Sequence, residues 1–387
     1  MARIIVCGYM IRYPLIGMLF AFFHYVLGLS RLGHEVLYLE ESGWPQSCYN
    51  PNHQNYGDDP QSGLQIVQAM MSSFGLQISV CYINRDSGQI WGITWDDLKQ
   101  TLKTADLLLN IGGVCWLPEF QTCQRRALID LDPFFTQIGR FATEDLHEYQ
   151  AYFSYGMNIG QLGCTIPTNG IDWHPTLPPV VTEIWQGVAF TKPSVTEDKL
   201  HTSLTTIANW SAYGGVIYED EYYGQKNEEF SKLLGLPSHT SQKLELALSG
   251  VDIETREQLL AAGWSIRDAG EVSKDLSTYQ AYITSSQGEF SVAKQAYVKT
   301  HSGWFSDRSV CYLGAGLPVV LQDTGFSEWL TVGQGVLPFS SLEEAVDRIE
   351  QVNADYLNHC AAARRIAEQV FNYKVVLPRL IEIGLGE

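Results

Sequence analysis

The chain has 387 residues, 45% of them hydrophobic and 18% charged, and its 43 acids against 25 bases leave a formal net charge of −18. That length exceeds one ordinary core and points to two domains, while the composition excludes a disordered or low-complexity protein. The charge opposes nucleic acid and anionic membrane over most of the surface, so a phosphate-bearing ligand has to be held by local dipoles and a few placed cations.

In chain order, residues 4–7 read as a strand that meets Gly8, and no cleavage-site pattern follows. A signal peptide is therefore not expected, and the expected location is cytoplasmic. The apolar run over 15–29 is broken by Gly17, His24 and Gly28 and is short for a membrane span. Its stripe of Met18, Phe22, Tyr25 or Val26, and Leu29 predicts a buried helix reaching Leu32, before the turn Gly33-His34 and a strand over 36–39. Further strands are expected over 76–81, 107–110 and 128–131, with polar helical segments between them. This alternation predicts parallel strands with right-handed crossovers in a doubly wound α/β half. The eight cysteines, Cys7, Cys48, Cys81, Cys115, Cys123, Cys164, Cys311 and Cys360, show no short paired spacing. They read as reduced core thiols, not as a metal or redox site.

Pro167, Pro175, Pro178, Pro179 and Pro193 crowd the stretch over 165–193 and predict an extended connection. The expected organisation is a first domain over 1–185, a second over 196–365, and a tail helix over 366–387. In the second half, strands are expected over 205–209, 244–248, 281–284, 319–322 and 336–339. Helices are expected over 227–234, 254–262, 306–313 and 342–352, the last with capping-box spacing at Ser341 and Glu344. A long helical pattern over 355–373 ends with Leu377-Pro378. Two such sheets place the expected ligand at the carboxyl ends of their strands, in a crevice shared by both halves.

The most informative stretch runs from Gly288-Glu289-Phe290-Ser291 through Ser302-Gly303-Trp304-Phe305-Ser306-Asp307-Arg308 to Gly316-Leu317-Pro318-Val319-Val320. A small-residue loop enters a helix at Ser306, where free amides and the positive end of the helix dipole suit a diphosphate and Arg308 adds a charge-assisted bond. The plainer alternative is that Ser306 only caps the helix and Arg308 pairs with an acid.

That string, continued by Gln322-Asp323-Thr324-Gly325-Phe326, resembles the donor half of bacterial GT-B glycosyltransferases over nearly forty residues. The first half is similar too, in the opening loop with Pro14 and Gly17, in Gly33-His34-Glu35-Val36 and in Asn158-Ile159-Gly160. The resemblance implies two Rossmann-like domains facing a cleft and transfer of a hexose from a nucleoside diphosphate sugar. The donor is then a co-substrate, and neither a cofactor nor a metal is implied. Implied partners are the nucleotide sugar and a small-molecule, glycan or lipid acceptor, with no nucleic acid and no transmembrane segment. One departure stands out. Many retaining members carry two glutamates with seven residues between them ahead of the Gly-x-Pro-Val-Val strand, and the corresponding positions here hold Gly303 and Cys311. Retaining and inverting chemistry both remain open, as do a sugar-nucleotide epimerase of the same architecture and a non-catalytic binding protein with a degenerate cleft.

Donor-site candidates are Ser302, Gly303, Ser306, Asp307 and Arg308, with Asp323, Thr324 and Gly325 at the end of the strand over 319–322. The loop over 210–214 faces the cleft in this reading. Lys226, near a helix start, would neutralise phosphate, with a solvated lysine as the alternative, and Trp264 or Arg267 would stack on the nucleobase, with Trp264 as plain core the alternative. On the acceptor side stand the loop over 9–17 and Gly112-Gly113. Asp132, His24, Glu40 and Glu41 are the candidate bases near strand ends, with a satisfied core histidine as the alternative for His24.

Overall fold

The computed structural model describes residues 1–139, 148–185, 202–211 and 213–387; Pro193 of the proline-rich stretch and Ala212 of the loop over 210–214 lie outside the described residues. The chain forms two compact units. The first comprises Met1–Gly156, Thr168–Val181 and Asn372–Glu387, the second Met157–Pro167 and Thr182–Phe371.

The first unit contains, in order, β1 (Arg3–Cys7), α1 (Ile16–Arg31), β2 (Glu35–Ser42), β3 (Cys48–Asn50), β4 (Asn55–Gly57), α2 (Gln61–Ser73), β5 (Ser79–Asn84), β6 (Gln89–Trp91), α3 (Trp95–Thr104), β7 (Leu107–Ile111), β8 (Arg126–Asp130), α4 (Phe135–Ile138), β9 (Ala151–Ser154) and β10 (Trp173–Pro175). Eight strands form one sheet in the order β10-β9-β8-β7-β1-β2-β5-β6. Neighbours run parallel except β5 and β6, which form an antiparallel pair. The unbroken apolar character of Ile4, Ile5 and Val6 and of Leu107, Leu108 and Leu109 follows from their burial on both faces of a parallel sheet. The strand order reverses between β1 and β7, so the loops after these strands share the ligand-binding edge of a doubly wound sheet.

In α1, His24 is 2% exposed, and its Nδ1 accepts the Val181 N–H at 3.1 Å. Burial pulls its pKa down to about 3, so the ring is neutral at physiological pH. The folded pKa lies below the unfolded value, so the stabilisation is complete above about 6.5 and is lost as pH falls towards 3. A pH series of melting curves is expected to show a loss approaching roughly 1.4 kcal/mol per pH unit in that window. His24→Gln keeps an acceptor for Val181 and is expected to flatten that slope while costing some stability at pH 7.

The second unit contains β11 (Ser203–Asn209), β12 (Val216–Tyr218), β13 (Glu221–Tyr223), α5 (Lys226–Lys232), β14 (Lys243–Ser249), α6 (Ile253–Ala261), β15 (Ser265–Asp268), α7 (Ala269–Val272), α8 (Leu276–Thr284), β16 (Gly288–Ser291), α9 (Gln295–Lys299), α10 (Asp307–Gly314), β17 (Val319–Gln322), β18 (Val336–Phe339), α11 (Leu342–Ala354) and α12 (Tyr356–Ile366). Its six-stranded sheet runs β15-β14-β11-β16-β17-β18, parallel throughout. Here the order reverses between β11 and β16.

Two expectations fail for identifiable reasons. The strand expected over 281–284 is the last part of α8: Asp275 caps that helix by accepting the Thr278 N–H at 2.8 Å, and Tyr279, Tyr282 and Ile283 bury one helical face. The strand at this place in the sheet is β16, whose four residues are all buried and so show no alternation. The long helical pattern over 355–373 is broken by a π-helical turn at Ala367–Phe371, after which Asn372 caps α13 (Tyr373–Leu385) by accepting the Lys374 N–H. This last helix belongs to the first unit and packs on α1, where Gly28 admits it: a Cβ there would lie 2.7 Å from Leu377 Cδ1. Among the described residues, no helix is long and apolar enough to cross a membrane.

Candidate functional site

In the second unit, the carboxyl ends of β16 and β17 meet the amino end of α10. A small cavity of about 20 Å³ lies there, lined in part by Ser291, Ser306, Arg308, Ser309, Gln322 and Thr324. Ser306 has extended backbone (φ −76°, ψ 135°) and caps α10, its Oγ accepting the Arg308 N–H at 3.2 Å. Asp307 Oδ1 accepts the same N–H at 3.0 Å, and burial pushes the Asp307 carboxyl above the usual range against the pull of Arg308. Ser309 is the exception in an otherwise satisfied turn. It is fully buried, lines the pocket, and its hydroxyl has no partner among the described residues. An unpaired buried hydroxyl costs about 1–3 kcal/mol unless a ligand or water meets it.

Arg308 ties the switch point together. Its Nε donates to Glu289 Oε1, its Nη1 to the Ile207 carbonyl and its Nη2 to Ser291 Oγ, each at 2.7 Å. Burial alone would lower the guanidinium pKa, but the adjoining Glu289 carboxylate more than offsets it, and the net shift is upward. Glu289 is fully buried and one of its oxygens, Oε2, has no partner. Both readings of the loop therefore apply: Ser306 caps the helix, Arg308 pairs with an acid, and a guanidinium has N–H groups beyond the three used here.

Lys226 opens α5 immediately after the excursion that carries β12 and β13. Half-buried, it makes no hydrogen bond or ion pair among the described residues. Burial and then the nearby Arg308 charge push its pKa down to about 7; Lys294 acts in the same direction, and Glu289 and Asp307 oppose it. Lys294, which precedes α9, donates to Tyr213 Oη at 2.6 Å with its ammonium 4.6 Å from that ring. The charges of Arg308 and Lys294 are thus both felt at Lys226, and the three cations together suit a multiply charged anion.

The remaining sequence-derived candidates fall into two groups. Ser302, Gly303, Asp323, Thr324 and Gly325 form the scaffold of this edge. Asp323 Oδ1 accepts the Gly325 N–H at 2.8 Å and its Oδ2 accepts the Ser327 hydroxyl; Thr324 Oγ1 donates to the Trp304 carbonyl at 2.6 Å; Ser302 Oγ accepts the Trp304 N–H. Asn158 docks among them, donating from Nδ2 to the His301 and Gly325 carbonyls. Gly303 (φ 71°) and Gly325 (φ 94°) make room, since a Cβ on either would come within 2.7 Å of the Asn158 side chain.

Trp264 and Arg267 have protein partners. The indole of Trp264 is 2% exposed, donates to the Leu234 carbonyl at 2.9 Å and packs on Phe230 and Phe290 in the core of the second unit. Arg267 lies on the edge strand β15 and chelates Glu245 at 3.0 and 3.2 Å. Neither lines the pocket.

In the first unit His24 is a core residue, as described. Asp132 sits in the turn after β8, its N–H donating to Asp130 Oδ1 at 2.8 Å and its carbonyl accepting the Thr136 N–H. The buried acid there is Asp130, which accepts from Thr136, Gln137 and Ser154 side chains. Glu40 and Glu41 staple the strand-end loops: Glu40 accepts the Ile11 and Arg12 N–H groups and the Arg12 guanidinium, Glu41 the Arg85 guanidinium and the Trp116 N–H. Residues that sequence reasoning passed over are Ser309, Gln322 and Lys294. Ser309 had a signal, lying one helical turn from Ser306 and so on the same face.

No family model matches the sequence, and no curated protein sequence matches it. Solved structures do match by fold. An α-glucosyltransferase in complex with UDP and a 13-mer DNA has a TM-score of 0.59 at 11% identity, over 99% of this chain and 100% of that one. A glycosyltransferase from Rickettsia africae has a TM-score of 0.55 at 9% identity, over 99% and 97% of the two chains. An E. coli trehalose-6-phosphate structure with bound UDP-2-fluoro glucose has a TM-score of 0.53 at 10% identity, over 100% and 99%. The fold is GT-B, with two Rossmann-like domains.

Proposed function

We propose that the protein is a glycosyltransferase that moves a hexose from a nucleoside diphosphate sugar to an acceptor hydroxyl, with the diphosphate held at the amino end of α10. The observation that carries this reading is the buried Ser309 hydroxyl, without a partner among the described residues, lining a pocket beside that helix end and Arg308, whose charge is felt at Lys226. The fold supports it, since the GT-B structures it resembles include complexes with UDP and UDP-2-fluoro glucose. In the transfer, the bond from the sugar C1 to the diphosphate oxygen breaks, a bond from C1 to the acceptor oxygen forms, and the acceptor's hydroxyl proton passes to the departing diphosphate. The electron pair left on the diphosphate is what the helix dipole and the cations stabilise. The donor is a co-substrate in this reading, and the chemistry asks of the chain only positioning and charge. For the acceptor we infer something other than nucleic acid, because a net charge of −18 disfavours the DNA seen with the α-glucosyltransferase.

Calorimetry with UDP in two buffers of different ionisation enthalpy tests the site. Lys226 loses its proton near pH 7 in the free protein, and a bound diphosphate favours the charged form. At pH 8 binding is expected to take up a fraction of a proton approaching about one, and affinity is expected to fall as pH rises above 7, by up to roughly tenfold per unit. Ser309→Ala should weaken UDP several-fold without lowering the melting temperature. A folded protein that bound no nucleoside diphosphate, or bound UDP with no proton uptake and no dependence on Ser309, would overturn the reading.

A further inference from the structure

The helix α6 joins β14 to the edge strand β15 and so flanks the open edge of the second unit's sheet. Both of its ends are fixed. Asp252 Oδ1 accepts the Thr255 N–H at 2.7 Å, and Gly263, in the left-handed region (φ 98°), closes the helix by donating its N–H to the Leu260 carbonyl at 3.1 Å. Leu259, 1% exposed, holds the inner side in the core, with Ala262 packed against the same cluster. At helical spacing Ile253, Arg256, Glu257 and Leu260 form one stripe on the side facing away. The ends of that stripe are apolar and bare, Ile253 being 78% exposed and Leu260 48%. In its middle, the Arg256 and Glu257 side chains have no hydrogen bond or ion pair among the described residues. As consecutive residues of a helix they do not face each other, so neither serves as the other's partner.

We propose that this stripe is a contact between two copies of the chain, related by a two-fold axis across the middle of α6. Set antiparallel, the copies place Ile253 on the partner's Leu260 and Arg256 opposite the partner's Glu257, and the symmetry repeats both contacts. The stripe is thus its own complement: apolar meets apolar at either end, and two ion pairs form at the centre. A partner of uniform charge would satisfy one of the two central side chains and repel the other, whereas a second copy supplies the charges in reversed order. Antiparallel helices also oppose their dipoles, which favours the pairing. The net charge of −18 works against self-association, but it is screened over about 10 Å at moderate salt, while the central pairs act at contact. A helix of 9 residues covers less than the roughly 800 Å² per partner of a standard interface, so the dimer is a weak one, with a dissociation constant in the micromolar range. The contact does not depend on the donor site.

Sedimentation velocity on the full-length protein, at concentrations from well below to well above the micromolar range, tests it. The expected result is a shift from monomer to dimer as concentration rises. Glu257→Arg sets like charges against each other across the axis and should weaken the dimer at least roughly tenfold. The melting temperature of the dilute protein should stay unchanged, because the side chain is exposed. Adding Arg256→Glu exchanges the two charges, brings opposite partners together again across the axis and should recover the native association. A protein that stays monomeric throughout would overturn the proposal. So would a dimer that Glu257→Arg leaves as tight as the native one, which would put the contact on another face, or a double variant that associates no better than the single one.

Discussion

Lys226→Met is expected to bind UDP roughly 10- to 150-fold more weakly than the native protein, the loss of one charge-assisted hydrogen bond, and to melt at the same temperature or higher. The two halves of this expectation have one cause. Lys226 is half-buried beside Arg308 with no partner of its own, which is why burial and like charge push its pKa down to about 7. In the free protein the desolvation of that ammonium is only partly offset by Glu289 and Asp307, and a methionine keeps the aliphatic stem in place while removing the charge. Only a bound anion makes the lysine worth its position. Calorimetry and a melting curve on the same variant separate the alternatives: a lower melting temperature with unchanged UDP affinity would mean that Lys226 serves the fold and does not touch the diphosphate.

Arg308→Ala is expected to behave in the opposite way. Here the partner is Glu289, fully buried on β16, and the guanidinium also holds the Ile207 carbonyl and Ser291. Removing the arginine leaves an uncompensated buried carboxylate, and breaking such a pair costs about 3–5 kcal/mol. Chemical denaturation followed by a probe in the second unit should show that loss directly. Adding Glu289→Gln should recover much of it, because a neutral amide in the same place no longer needs a counter-charge. The double variant should then fold and still bind UDP poorly. If the single variant were as stable as the native protein, the Arg308–Glu289 pair would not be what joins the ends of β11 and β16.

The contrast between these two cations is invisible in the sequence. Lys226 and Arg308 look alike there, each a basic residue near a helix start. Their difference is a matter of neighbours. Arg308 spends its donors on Glu289, Ile207 and Ser291, whereas Lys226 spends none among the described residues. Trp264 and Arg267 show the same limit from the other side. Both stand near a turn that the resemblance assigns to the nucleobase, yet Trp264 faces inward to Phe230 and Phe290, and Arg267 is consumed by Glu245 on the edge strand. The glycines at 303 and 325, read as a ligand loop, admit Asn158.

What the amino-acid order determined by itself was local: which segments bury a face, where caps such as Ser306 and Ser341 begin a helix, and that strands and helices alternate twice over, which already implies two parallel sheets. These signals survive in one dimension because they depend on residues a few positions apart. It failed where a short strand is buried on both faces and so shows no alternation, as at β16, and where tertiary burial decides between helix and strand, as at α8. The composition of the pocket belongs to the tertiary structure. Ser291, Arg308 and Gln322 are separated in the chain and line it together only because the sheet sets β16 beside β17. Whether a charged side chain is spent or available depends on that arrangement, since the field around it falls off over a few ångströms.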